Sequence, residues 1–391
     1  MKPLLLEAWR GLYSRRTPTL IATGGLMLAM TACLLVSLLA IALATPAPSI
    51  PDPDKVVLLD FKGNIPGQPS PWFTYSPVSF ATLLKERKVP LDLISRASGN
   101  GMDINHDGRL LPVFLLSADP DLVPLLGLEA LHGDLRATLE RHDGIAITQG
   151  LARRLWGDLP AKETLGRRFE SRGLFYTVTA IIPDFDPRAP IGEASPMVGD
   201  AKAMVGFESQ GNPMSQGERD LIYAGNGRVF ARLRPGVSVD SIGGWMRESF
   251  VNNPLYAELP ADWKAGREAA FFRAIPLTQL PFEGAQNEQR WRLLASVAAA
   301  SVLLLFLAAF NCMNLQTATL MLRQRETALR RSLGADSVQL LGLWGTQVLL
   351  SLLFAATGSV VLAWYLAPGI ANWIPWAPWT LALLYGAFFA G

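Results

Sequence analysis

The chain has 391 residues, 50% of them hydrophobic and 17% charged, with a net charge of +2. A soluble domain carries about 25% charged residues, so the deficit points to membrane segments, and so small a net charge gives no basic field for nucleic acid. The two cysteines, Cys33 and Cys312, both lie in apolar runs, which leaves no disulfide framework and no cysteine zinc site.

Residues 1–17 include "LLLEAWRGLYSRR", in which Leu4, Leu5, Ala8, Trp9 and Leu12 share one helical face. An interfacial helix on the inner leaflet fits, with Trp9, Arg10, Arg15 and Arg16 at the membrane surface. The plainer alternative is a charged flank that only sets topology. Residues 18–44 follow without a charge, and a spanning helix needs roughly 20 apolar residues. "ALA" at 42–44 resembles a signal-peptide cleavage site, but the run is 27 residues long and a signal core has about 7–15. The segment therefore reads as transmembrane helix 1.

Residues 45–292 form the large polar segment. It opens with four prolines in "TPAPSIPDPDK", a stiff exit linker. Strands are expected at 55–61, 91–97, 109–117, 175–184, 226–236 and 268–277, with a further strand at "LGRRFE" pairing with 175–184. Helices are expected at 76–87, started by Ser or Pro; at 120–134, with a glycine stop; after the strand of 144–158; and at 238–253. Residues 185–220, rich in Pro, Gly and Ser, read as loops. Strands and helices mix without a regular βαβ rhythm, which predicts an α+β domain of two lobes.

"DINHDG" at 103–108 matches the first half of a calcium loop, with Asp103, Asn105 and Asp107 at ligand positions. Position 12 of that loop is Phe114, where calcium needs a carboxylate, so an Asx-rich surface turn is the better account and no metal is expected. His106, His132 and His142 have no ligand spacing. The chain has no G-x-S-x-G and no Gly-Lys pair, so it carries neither a serine elbow nor a phosphate-binding loop. No cofactor is implied, and a membrane-anchored enzyme is the weakest reading.

Uncharged runs at 293–322 and 338–366 supply transmembrane helices 2 and 3, and 378–391 is a partial fourth helix of 14 residues. Between helices 2 and 3 lies "RQRETALRRSLGAD" (323–336), with four arginines. On a helix, Glu326 and Arg330 form a favourable i, i+4 pair, Leu329 and Leu333 a short apolar seam, and Gly334 a stop. A solvated flank would need only the arginines; the rest describes a structured knob. The positive-inside rule puts the tail and this block in the cytoplasm and residues 45–292 outside. The turn 367–377, with Trp373 and Trp376, then lies at the outer interface.

"RQRETALRRSLGADSVQLLGLWGTQVLLSL" resembles the R-x-R-E-x-x-x-R-x-A-x-G-A stretch of the MacB/FtsX-like ABC-transporter permeases. "SADPDLVPLLGLEALHGDL", "GIAITQGLARRLWGDLPAKETLGRRF", "YTVTAIIPD" and "RVFARLRPGVS" resemble segments of the same family's outer domain, in the same order. The resemblance covers nearly the whole chain. It implies a non-catalytic permease subunit in the inner (plasma) membrane that functions as a dimer or paired permease. An ATPase on a separate chain docks on Arg325, Glu326, Arg330, Arg331, Gly334 and Ala335. A periplasmic adaptor is a further implied partner, alongside membrane lipid. ATP hydrolysis then moves the outer domain for export or release of a substrate. The alternative is a regulatory scaffold of FtsX type that controls an extracytoplasmic partner such as a cell-wall hydrolase. Two departures stand out: Gln347 lies near a position where the family often has Glu, and the sequence stops at Gly391 within its fourth helix, which reads as a truncation, a frameshifted gene or the front half of a longer permease.

Overall fold

The computed structural model describes residues 16–47, 49–67, 70–106, 108–157, 159–185, 189–191, 202–264, 268–322, 324–332 and 337–373. The expected interfacial helix with Trp9, Arg10 and Arg15, the partial fourth helix and Trp376 lie outside the described residues. The chain divides into a head, Leu43–Arg290, and a membrane unit, Met1–Ala42 with Trp291–Gly391.

The head is built on one mixed sheet of ten strands. They are β1 (Val56–Gly63), β2 (Leu91–His106), β3 (Arg109–Ala118), β4 (His132–Gly133), β5 (Gly144–Thr148), β6 (Arg168–Ser171), β7 (Leu174–Ile182), β8 (Lys202–Gly206), β9 (Arg228–Leu233) and β10 (Ala270–Pro276). Their order is β10-β1-β9-β2-β3-β8-β5-β7-β4, with β6 pairing β2 and β7. The pairs β3–β8 and β5–β7 are parallel and the other pairs antiparallel. The head helices are α2 (Ser79–Glu86), α3 (Leu122–Leu126), α4 (Leu135–Glu140), α5 (Gln149–Trp156), α6 (Gln216–Asp220), α7 (Val239–Val251), α8 (Pro254–Glu258) and α9 (Ala261–Lys264), and α1 (Arg16–Ala44) precedes them all.

The expected α+β domain with two lobes takes a definite physical form. Val56 and Leu58 of β1, Phe114 and Leu116 of β3 and Phe230 of β9 share one core on one face of the sheet. On the other face the apolar residues separate into two cores. Val57 and Leu59 pack under α2 and α7, while Val113, Leu115, Ile145 and Ile147 pack under α5. The lobes are these two half-cores, and one sheet runs through both. Strands buried on both faces are continuous apolar runs rather than alternating ones, which is why "VVLLDF" and "VFLLS" read so plainly.

Several elements differ from expectation. β8 crosses the region expected to be loop, and all five of its residues are buried between β3 and β5. Five residues buried on both sides leave no alternation to detect beside Pro, Gly and Ser. β2 continues through residues 98–106 into a long hairpin with β3. The helix expected over 120–134 is only Leu122–Leu126, ended by Gly127 at φ 60°. A Cβ on Gly127 would lie 1.9 Å from the Ser49 carbonyl oxygen, so the exit linker passes over the glycine, and Ala47 and Ile50 enter the core. The start of α2 has no side-chain cap: the Val78 N–H donates to Asn226 Oδ1, and Ser79 Oγ donates to the Leu221 carbonyl.

The membrane unit holds α1, most of α10 (Ala285–Leu322), α11 (Gln324–Ser332) and α12 (Ser337–Trp373). Three stretches, Leu20–Ile41, Asn287–Ala318 and Val348–Leu366, are long and apolar enough to cross a membrane. α12 runs on through Trp373, so residues 367–373 of the expected outer loop are helical. Small residues let the helices approach, as is common in bilayers. Gly358 of α12 lies where a Cβ would meet Met27 Sδ at 2.5 Å, and Ser359, Ala355 and Ala363 are buried. Thr31 Oγ1 donates to the Met27 carbonyl at 2.7 Å and lies 3.4 Å from the Ser359 carbonyl, while Cys33 Sγ lies 3.5 Å from the Ser301 carbonyl of α10.

Candidate functional site

α11 is a separate nine-residue helix between two long apolar ones. Its sequence, QRETALRRS, has neither Gly nor Pro and is made mostly of good helix formers. At 1.5 Å per residue it is about 13 Å long. Arg325, Ala328 and Leu329 are exposed, Leu329 by 64%, and Ser332 Oγ donates to the Leu329 carbonyl. The backbone places Glu326 and Arg330 one turn apart, at the spacing expected for an ion pair. The side chains of Glu326, Arg330 and Arg331 lie outside the described residues, as do Gly334 and Ala335 entirely. Arg16 begins α1 and Trp373 ends α12, with their side chains likewise outside.

Of the weak calcium candidates, Asp103 and Asn105 lie on β2 opposite Pro112 and Leu110 of β3. Gly108, at φ 77°, lies in the hairpin turn, and Asp107 is outside the described residues. A calcium loop leads into a helix, whereas this chain returns as the strand β3. Among the described residues no group of three His, Cys, Asp or Glu side chains is placed to hold a metal.

Two charged clusters in the head have no signature in the sequence. In the first, Arg96 donates from Nε and Nη2 to Asp119 at 2.9 and 2.7 Å and from Nη2 to Glu208 at 2.8 Å. Arg219 Nη1 donates to the other Glu208 oxygen, and the Arg96 guanidinium lies 4.1 Å from the Phe207 ring centre. This network ties β2, the ends of β3 and β8, and α6. In the second, Arg273 of β10 donates from Nε to the fully buried Asp60 of β1 at 3.0 Å and pairs with Glu283 at 2.9 Å. Its guanidinium lies 4.1 Å from the Trp72 ring centre. Burial pushes the Asp60 carboxyl up to about 6, against the opposing pull of Arg273. Partners so far apart in sequence leave no local pattern to read.

Residues 19–248 match the model of the MacB-like periplasmic core domain, and residues 298–390 match the FtsX-like permease C-terminal model. The chain belongs to the MacB/FtsX-like permease family. A permease domain from Porphyromonas gingivalis is similar at 19% identity and a TM-score of 0.44, over 58% of this chain and 91% of that one. The periplasmic region of MacB from Actinobacillus actinomycetemcomitans is similar at 10% identity and a TM-score of 0.38, over 59% and 92%. The extracellular domain of the ABC-type transporter YknZ from Gram-positive bacteria is similar at 10% identity and a TM-score of 0.35, over 56% and 98%. The comparison with curated proteins found no match. At the level of the family, this permease is a membrane component of an ABC transporter, a generally non-catalytic role associated with an ABC ATPase, with a large extracellular domain.

Proposed function

We propose that this permease receives mechanical work at α11 from an ATPase on a separate chain and delivers it to the head, which moves or releases a substrate on the outer side. The observation that carries this is the short basic helix held between two spanning-length helices. α11 has three arginines and one glutamate, a surface suited to charge-assisted bonds with carboxylates. Arg325, Glu326, Arg330 and Arg331 make the docking face, and Gly334 and Ala335 make the turn that returns the chain to the membrane. The membrane in this reading is the inner (plasma) membrane, with Arg10, Arg15 and Arg16 assigned to the same cytoplasmic side as α11 by the positive-inside rule, and Trp9, Trp373 and Trp376 to the interfaces. Exposed Leu303, Phe306, Leu307 and Phe310 of α10 suit lipid or a second permease copy, and an adaptor is a further partner for the head.

The test is co-purification of the detergent-extracted permease with an ABC ATPase supplied as a separate chain. Reversing Arg330 and Arg331 to Glu abolishes association while the chain remains inserted; undiminished association would remove the coupling role. The FtsX-like match over residues 298–390 favours a second reading, a scaffold that activates an extracytoplasmic hydrolase. Reconstituted pairs that activate a hydrolase but move no substrate would select it.

A further inference from the structure

The head carries an open groove on its surface, a cavity of about 550 Å³ between α7 and the edge of the sheet where β1 pairs with β10. Small-molecule sites span roughly 300–1,000 Å³. Lys62 of β1 projects toward it with its ammonium 5.8 Å from the ring centres of both Trp72 and Phe271. Among the described residues Lys62 has no carboxylate partner. The other charged groups at the cavity are Arg247, Glu268 and Asp240. Arg247 is paired with Glu268, and Asp240 lies in the first turn of α7, where the helix N-terminus favours a carboxylate. Lys62 is left as the unmatched cation between two aromatic surfaces.

One aromatic wall is held in advance. Trp72 is stacked by Arg273, which Asp60 and Glu283 fix in turn. The helical wall carries two adjacent glycines with different causes. At Gly243 a Cβ would meet the Phe272 carbonyl at 2.8 Å, so that glycine lets α7 approach β10. At Gly244 a Cβ would meet nothing within 4 Å. An interior helix glycine costs about 1 kcal/mol against alanine, and packing gives no reason for this one. Its visible effect is to leave the cavity open.

We propose that this cavity binds an anionic amphiphile. Its carboxylate or phosphate is held by Lys62, and its aromatic or aliphatic body lies against Trp72 and Phe271. The proposal is independent of coupling at α11. The test is equilibrium dialysis of radiolabelled 2-naphthoate against the full chain in nanodiscs, with empty nanodiscs subtracted. Saturable binding is expected. Lys62→Gln weakens it about tenfold, the loss of one charge-assisted contact, and Lys62→Arg preserves it. Gly244→Trp fills the space and abolishes binding, while Gly244→Ala raises the melting temperature and reports on folding separately. Nanodiscs of phosphatidylglycerol and of phosphatidylcholine separate the two sources of such an anion. Lys62-dependent weakening in phosphatidylglycerol assigns the site to a lipid headgroup, and equal binding assigns it to a soluble ligand. Non-saturable binding, or binding unchanged by both Lys62→Gln and Gly244→Trp, overturns the proposal.

Discussion

Asp60 is the residue whose chemistry departs furthest from its sequence context. Nothing in "VVLLDFKG" marks its carboxyl as fully buried, because the cause is Arg273, 213 positions away. Its folded value of about 6 lies above the ordinary 3.8, so the folded head holds this proton more tightly than the unfolded chain does. Its contribution is therefore complete below pH 3.8 and is lost as pH rises through about 6, up to about 3 kcal/mol over that window. Asp60→Asn should remove this part of the pH dependence. Thermal melts of the detergent-solubilised chain at pH 4.5 and 7 check it, and identical pH profiles for the two proteins would refute it. Gly127 gives a second prediction. Gly127→Ala combines a left-handed φ of 60° with a clash on the Ser49 carbonyl, whereas Gly236→Ala at φ 85° has open space. The left-handed conformation alone costs a non-glycine residue about 1–2 kcal/mol, so Gly127→Ala should lower the melting temperature more and increase hydrogen exchange in residues 45–51. Equal effects of the two would show that the linker is not pinned there.

Elements were legible in proportion to their local signal. The three spanning stretches and the doubly buried β1 and β3 are long apolar runs that no other structure explains as well. The basic helix α11 was legible because good helix formers sit between an apolar run and Gly334. β8 was not, since its place between β3 and β5 is set by partners and not by its own five residues. Its end is tied by the Arg96 network, which joins the ends of β3 and β8 to β2. The Arg96 and Asp119 side chains are 17% and 10% exposed, and Arg96 has Glu208 as a second partner, so it is removal of Arg96 that leaves a buried charge, the Asp119 carboxylate, without its cation. Arg96→Met should cost about 3–5 kcal/mol, and the pair Arg96→Met with Asp119→Leu distinctly less. Urea unfolding of the single and double variants checks this. A double variant as damaged as the single one would mean the strand ends need the charges themselves.

At the scale of the whole molecule, three spanning-length stretches and one large head were legible and the sheet was not. Composition and charge asymmetry give an expectation for which polar segments lie on which side of a bilayer. Strand order depends on pairings such as β1 with β10 that no local pattern records. The side assignment has a direct test. Cys33 and Cys312 are the chain's two cysteines, both in helices of the membrane unit, so replacing each with Ala gives a thiol-free background. Lys85 on α2 and Leu329 on α11 are exposed and suit single cysteine probes. A membrane-impermeant maleimide applied to intact spheroplasts should label Lys85→Cys at once and Leu329→Cys only after permeabilisation. The reasoning rests on three arginines within nine residues: moving such a helix through about 30 Å of hydrocarbon is opposed by several kcal/mol for each charge. Labelling of both probes from the same side would place the head with α11 and leave no ATPase-driven stroke to transmit across the bilayer.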